Sequence, residues 1–156
     1  MGSYAKPDLR IGLSPKLAIQ QIRRSFDFHG RASRTEVISY AVLTFVVALA
    51  VFMTGLVTNA FDPAEDRLPM TIVSVVLAIP EPALFVRRMH DQDRTGWWAL
   101  LGIAYLLISW FSYLRIEMPL WLGGIANLIA IALLILLLWH GTHDTNRFGP
   151  DPRTLD

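Results

Sequence analysis

The sequence contains no cysteine, which excludes thiol catalysis, thiolate-bound metal and disulfide cross-links. Charge is scarce too: 17% of the 156 residues are Asp, Glu, Lys or Arg, against roughly 25% in soluble domains. What charge there is avoids long tracts of the chain. Val37–Thr58, Met70–Val86, Trp97–Tyr113 and Leu120–Trp139 hold a single charged residue between them, Glu81. A soluble enzyme is excluded by this distribution.

Each tract has the ~17–25 residues that a helix needs to cross a ~30 Å hydrocarbon core. The fold expected is all-α, a four-transmembrane-helix bundle with spans at about 37–58, 70–86, 97–113 and 120–139. A short N-terminal interfacial amphipathic helix precedes it. The membrane domain then covers residues 14–152, with 1–13 a disordered N-terminus and 153–156 a C-terminal end. The pieces between spans are too short to fold alone, since chains below about 40 residues rarely do so without disulfides or metal. Apolar character starts only at Val37, past the first ~15–30 residues where a secretory signal carries its apolar run. The first span is therefore expected to persist as an anchor.

The basic residues set the orientation. Twelve of the fourteen Lys and Arg lie before the first span, in the 87–96 connection or after the last span, and only Arg67 and Arg115 lie in the other two connections. By the positive-inside rule the first group is cytoplasmic, together with both termini. Asp62, Glu65, Asp66 and Glu117 fall on the opposite side.

Local signals mark where helices begin. Ser14-Pro15 reads as N-cap and first helical residue. Ala18, Ile22 and Phe26 then share one helical face, while Lys16, Arg23 and Arg24 are placed to reach phosphates. Ser33-Arg34-Thr35-Glu36 has capping-box spacing, so the first span should start there. Trp97, Trp98, Trp110, Tyr113, Trp121 and Trp139 stand at span ends, as headgroup-level anchors do. Gly123, Ala126 and Ala130 form a small-residue stripe suited to close helix packing, within the chain or between chains.

Three clusters converge on the cytoplasmic side: Phe28-His29-Gly30-Arg31-Ala32-Ser33-Arg34, Arg87-Arg88-Met89-His90-Asp91-Gln92-Asp93-Arg94, and Gly141-Thr142-His143-Asp144-Thr145-Asn146-Arg147-Phe148-Gly149-Pro150-Asp151-Pro152. In these blocks the chain resembles the bacterial domain-of-unknown-function 805 family. That family has a Phe-x-Gly-Arg-x-x-Arg entry, an Arg-Arg-Leu-His-Asp…Gly-Trp-Trp centre and a Gly-Thr…Asn-Arg-Phe/Tyr-Gly-Pro-Asp-Pro tail. The resemblance covers roughly residues 20–152. It implies a four-helix-type bacterial inner-membrane protein and brings no activity with it. Val37-Ile38 stand where an aromatic pair is expected, Met89 replaces Leu, and His143-Asp144 stand where Pro-Gly is usual.

Two readings of the clusters compete. Arg31, Arg34, Arg87, Arg88, Arg94 and Arg147 could pair with Asp91, Asp93 and Asp144 in a network tying three segments together. Alternatively Arg31, Arg34, Arg87, Arg88, His90, Asp91, Arg94, Asn146 and Arg147 form a belt that binds anionic lipid headgroups or a membrane protein partner, a second copy included, because guanidinium forks match phosphate oxygens. No cofactor, metal, catalytic residue or nucleic-acid partner is expected. The rivals are a small permease using Glu81, the one intramembrane ionisable group, set between Pro80 and Pro82, and a membrane enzyme on a phosphorylated substrate using His90 with Asp91. A metal site would need His140, His143 and Asp144 to converge.

Overall fold

The computed structural model describes residues 13–59, 67–113 and 119–154. The expectations for residues 1–12 and for the acidic connections holding Asp62, Glu65, Asp66 and Glu117 lie outside them. All regular structure among the described residues is helical apart from one isolated bridge, Asn146 to Gly149.

Helix α1, Pro15–Arg23, starts at Ser14, whose side chain accepts from the Leu17 amide at 3.4 Å. It packs on α2 through Ala18 and Gln21 rather than through the whole apolar face read from the sequence. Ile22 and Phe26 point outward instead. The Ser14 amide also donates to Ser39 Oγ at 3.1 Å, fixing the start of α1 to α2. Helix α2, Arg34–Thr58, opens with the full capping box: Glu36 N donates to Ser33 Oγ at 3.2 Å and Ser33 N donates to Glu36 Oε1 at 2.9 Å.

The expected second span is two helices, α3 (Arg67–Ala78) and α4 (Glu81–Asp91). The physical reason is Pro80 and Pro82, which lack amides and interrupt the ladder around Ile79. Together they make a 24-residue apolar rod, Leu68–Asp91, that runs five residues past Val86. One loosened carbonyl finds a partner on another helix: the Tyr40 hydroxyl donates to Leu77 O at 2.5 Å. The expected third span starts as a 3-10 turn, Gly96–Ala99, before α5, Leu100–Tyr113. It is shorter than the rest, so three helical segments, Arg34–Thr58, Leu68–Asp91 and Leu120–Leu138, are long and apolar enough to span, and Gly96–Phe111 falls short. Helix α6 is Leu120–Leu138.

Helix α4 lies against α2, α5 and α6. An apolar cluster of Ala32, Val37, Tyr40 and Leu84, with Leu43 and Leu137 against it, sits near the α4 end of the bundle. Elsewhere large apolar side chains such as Phe45, Leu128 and Leu134 face outward, which hydrocarbon surroundings permit. Gly123 of the small-residue stripe has nothing within 4 Å of where a Cβ would stand among the described residues.

Candidate functional site

The most completely buried large side chains are Arg87, Arg88 and Gln21. This inversion defines the site, because buried guanidinium groups persist only with partners.

Asp91, at the end of α4, is the hub. Its Oδ1 accepts from Arg31 Nε at 3.0 Å and Arg31 Nη2 at 2.9 Å, and its Oδ2 accepts from Arg88 Nη1. The remaining donors go to backbone. Arg31 donates to Asp144 O at 2.6 Å and Thr142 O at 2.5 Å, holding the chain after α6. Arg88 donates to Leu137 O at 2.8 Å and to Trp139 O, and Gln92 donates to Leu136 O. These are carbonyls at the end of α6, where a helix leaves its last four without internal partners and its dipole favours a cation. Side chains of α4 thus cap α6 from outside.

A second chain of contacts reaches α1. Arg87 Nη2 donates to Gln21 Oε1 at 2.5 Å, and Gln21 Nε2 donates to Glu36 Oε2 at 2.7 Å, so the capping carboxylate of α2 is shared with a buried arginine. Arg87 Nε and Nη1 have no hydrogen-bond partner among the described residues, and the nearest Asp27 oxygen is 3.8 Å from Nη1. Asp27 itself is held below its ordinary carboxylate value by the His29 amide and Arg24, against the opposing effect of its partial burial. Burial pushes the Asp151 carboxyl up, but hydrogen bonds and charge from Arg153 outweigh it and bring the group below its usual value.

His90 stands apart from Asp91. Its Nδ1–H donates to Gly30 O at 3.1 Å, and its ring stacks on Phe148 with centroids 3.8 Å apart and planes 4° from parallel. The Asp91 carboxylate is turned to the arginines, so the two neighbours form no acid–base dyad. Asn146 Nδ2 donates to His90 O at 2.9 Å and to Thr142 Oγ1 at 3.0 Å. Arg147 Nε lies 3.1 Å from Asp93 Oδ1, with both side chains about half exposed. Arg94 lies over the Trp98 ring at 5.4 Å, and Arg34 is exposed.

The nine belt residues therefore gather at one end of the bundle but differ in burial. Arg31, Arg87, Arg88 and Asp91 are buried, His90, Arg94 and Asn146 are half-buried, and Arg34 and Arg147 are exposed. Glu81 stands at the start of α4, six residues before Arg87. Among the described residues no three His or carboxylate groups stand together to hold a metal, so His140, His143 and Asp144 do not converge. Sequence reasoning missed Gln21, Tyr40 and Glu36 as members of the polar interior. Only Glu36 carried a signal, its capping-box spacing.

The arrangement has a family signature in sequence as well: the family described as "Protein of unknown function (DUF805)" matches residues 25–150. The chain belongs to this family. DUF805 relatives include the inner membrane protein YhaH of Escherichia coli (strain K12), 29% identical over 138 residues, covering 86% of this chain and 94% of YhaH. The inner membrane protein YhaI of the same organism is 29% identical over 128 residues, covering 81% of this chain and 86% of YhaI. No solved structure matches the chain. The DUF805 segment, from Ser25 to Pro150, covers the first two arginine-bearing blocks and all but the last two residues of the third, and so contains the Arg31–Asp91–Arg88 hub and the tail carbonyls it grips.

Proposed function

We propose that this chain is a four-span inner-membrane protein with both termini in the cytoplasm, without enzymatic activity of its own. Its outward-facing basic residues hold anionic lipid headgroups. One observation carries the reading: Arg34 and Arg147 are exposed, and Arg94 half-buried over Trp98, at the same end of the bundle at which Arg31, Arg87 and Arg88 are buried. The inner set ties segments together, and the outer set, in which Arg147 also pairs with the half-exposed Asp93, is offered to phosphate. The names of YhaH and YhaI support the inner-membrane placement, and the twelve-to-two distribution of basic residues supports the orientation. In this reading Gly96–Phe111 crosses with help from flanking residues, as short spans do by local bilayer thinning, and α1 lies along the interface with Ile19, Ile22 and Phe26 toward lipid.

The test replaces Arg34, Arg94 and Arg147 together by Gln. Copurified anionic lipid should fall and its residual binding should lose salt sensitivity, while melting in neutral detergent stays as in the parent. Unchanged lipid would transfer the outer set to a protein partner. A reporter after Asp156 should behave as cytoplasmic and one inserted near Asp62 as external.

A further inference from the structure

Helix α6 carries a seam that its own bundle does not use. Leu120, Gly124, Asn127, Ile131, Leu134 and Leu138 follow one another at alternating steps of four and three residues, the spacing that keeps a stripe on one side of a helix. All six are exposed, Leu120, Ile131, Leu134 and Leu138 by 97, 56, 59 and 42%. The opposite side, with Leu133 buried, faces the bundle.

One member of the seam is polar. Asn127 is seven residues from Leu120 and eleven from Leu138, about 10 and 16 Å from the two ends of α6. Its short side chain cannot reach water from that depth. Hydroxyls of other apolar helices return to carbonyls of their own helix: Thr44 donates to Ala41 O, Thr54 to Ala50 O and Ser74 to Thr71 O. The exposed Asn127 amide has no hydrogen-bond partner among the described residues. An amide left unpaired in hydrocarbon is costly, and a lipid tail has neither donor nor acceptor to offer it.

Geometry selects what meets that amide. Two copies inserted in the same direction hold their α6 helices parallel, and a two-fold axis along the bilayer normal brings equal depths together. Asn127 then meets Asn127. A primary amide complements itself, the Nδ2–H of each donating to the Oδ1 of the other. Gly124, one turn toward the Leu120 end, has nothing within 4 Å of where a Cβ would stand, so the two backbones can approach closely beside the pair.

We propose that a second copy of this chain docks on this seam, α6 against α6, with a reciprocal Asn127 pair inside the hydrocarbon layer fixing the register. The proposal needs α6 to cross the bilayer and is independent of the headgroup reading. In a bilayer the apolar members of the seam gain little over lipid tails, so the amide pair and the close approach at Gly124 carry the association.

Because the sequence has no cysteine, single cysteines can be placed in the full chain without background. Each variant is reconstituted at high dilution in liposomes of phosphatidylethanolamine and phosphatidylglycerol and oxidised with copper phenanthroline. Ile131→Cys and Leu134→Cys should give a disulfide-linked species of twice the chain's mass. Ile125→Cys and Leu128→Cys, exposed but off the seam, should not. Equal yields on and off the seam would mark random collision and overturn the proposal, as would no product at the seam positions.

Dimer fraction across dilution is then measured by single-molecule photobleaching in the same liposomes. Asn127→Leu should weaken the dimer roughly tenfold, for two amide hydrogen bonds of the average strength found between membrane helices. Asn127→Gln keeps donor and acceptor and should stay nearer the parent. Parent-level association of Asn127→Leu would overturn the amide pair. Unchanged circular dichroism of that variant separates lost association from lost fold, and the cysteine scan decides without it. A purified chain that stays monomeric, while its seam cysteines link to another protein in native membranes, would give the face to that protein and overturn the proposal.

Discussion

A Cβ on Gly141 would fall 1.9 Å from Asp91 Oδ2. The glycine after α6 is thus required by a carboxylate from α4 resting against its Cα, not only by the end of the helix. Arg31 and Arg88 hold that carboxylate from its other sides. Gly141→Ala must push Asp91 away from one or both arginines, and it should cost about 3 kcal/mol, the scale of breaking a buried ion pair. Thermal melting in a neutral detergent measures the loss.

Asp91→Asn tests the hub directly. It leaves two buried guanidinium groups without a counter-charge, for a cost of about 3–5 kcal/mol. Asp93→Asn, in the half-exposed pair with Arg147, should cost about 0–1 kcal/mol. Equal melting temperatures for the two variants would contradict the internal placement of Asp91.

Asp144 has φ +63°, in the left-handed region. It is one of the two residues standing where the family resemblance leads one to expect Pro-Gly, and Gly meets no Cβ penalty there. Its carbonyl, not its carboxylate, accepts from Arg31. Asp144→Gly should therefore raise stability by up to about 1 kcal/mol, while Asp144→Val should lower it. Chemical denaturation of the two variants against the parent decides.

Tyr40→Phe removes the hydroxyl that serves Leu77 O beside the proline break. The loss should be about 1 kcal/mol. It should appear as faster amide exchange in α3 and α4 near Pro80, with α6 unaffected.

Acid should weaken the fold through Asp27 and Asp151. Both carboxyls lie below the ordinary 3.8 in the folded chain, so their contribution is complete above that value and is lost as pH falls through the lower folded value. Melting followed from about pH 6 to pH 3 should fall in the parent and fall less in Asp27→Asn/Asp151→Asn. Both groups are partly solvated, so the difference should be modest.

The sequence by itself determined the apolar tracts, the helix starts at Ser14 and Ser33 and the gathering of the three arginine-bearing blocks at one end, because these rest on local rules: a length of apolar chain, a cap and its spacing, a count of charges. The helix break was legible in Pro80 and Pro82 for the same reason, although its partner Tyr40, forty residues away, was not. Only the tertiary structure decided which arginines are interior. Arg87 and Arg88 are neighbours in an identical local context, yet one turns to Gln21 on α1 and the other to the carbonyls ending α6. Arg94, six residues on, lies over Trp98. A guanidinium looks the same in sequence whether it meets phosphate or a spent helix end. What separates the two is the set of carbonyls left unpaired where α6 stops, and those come within reach of α4 only when the helices pack.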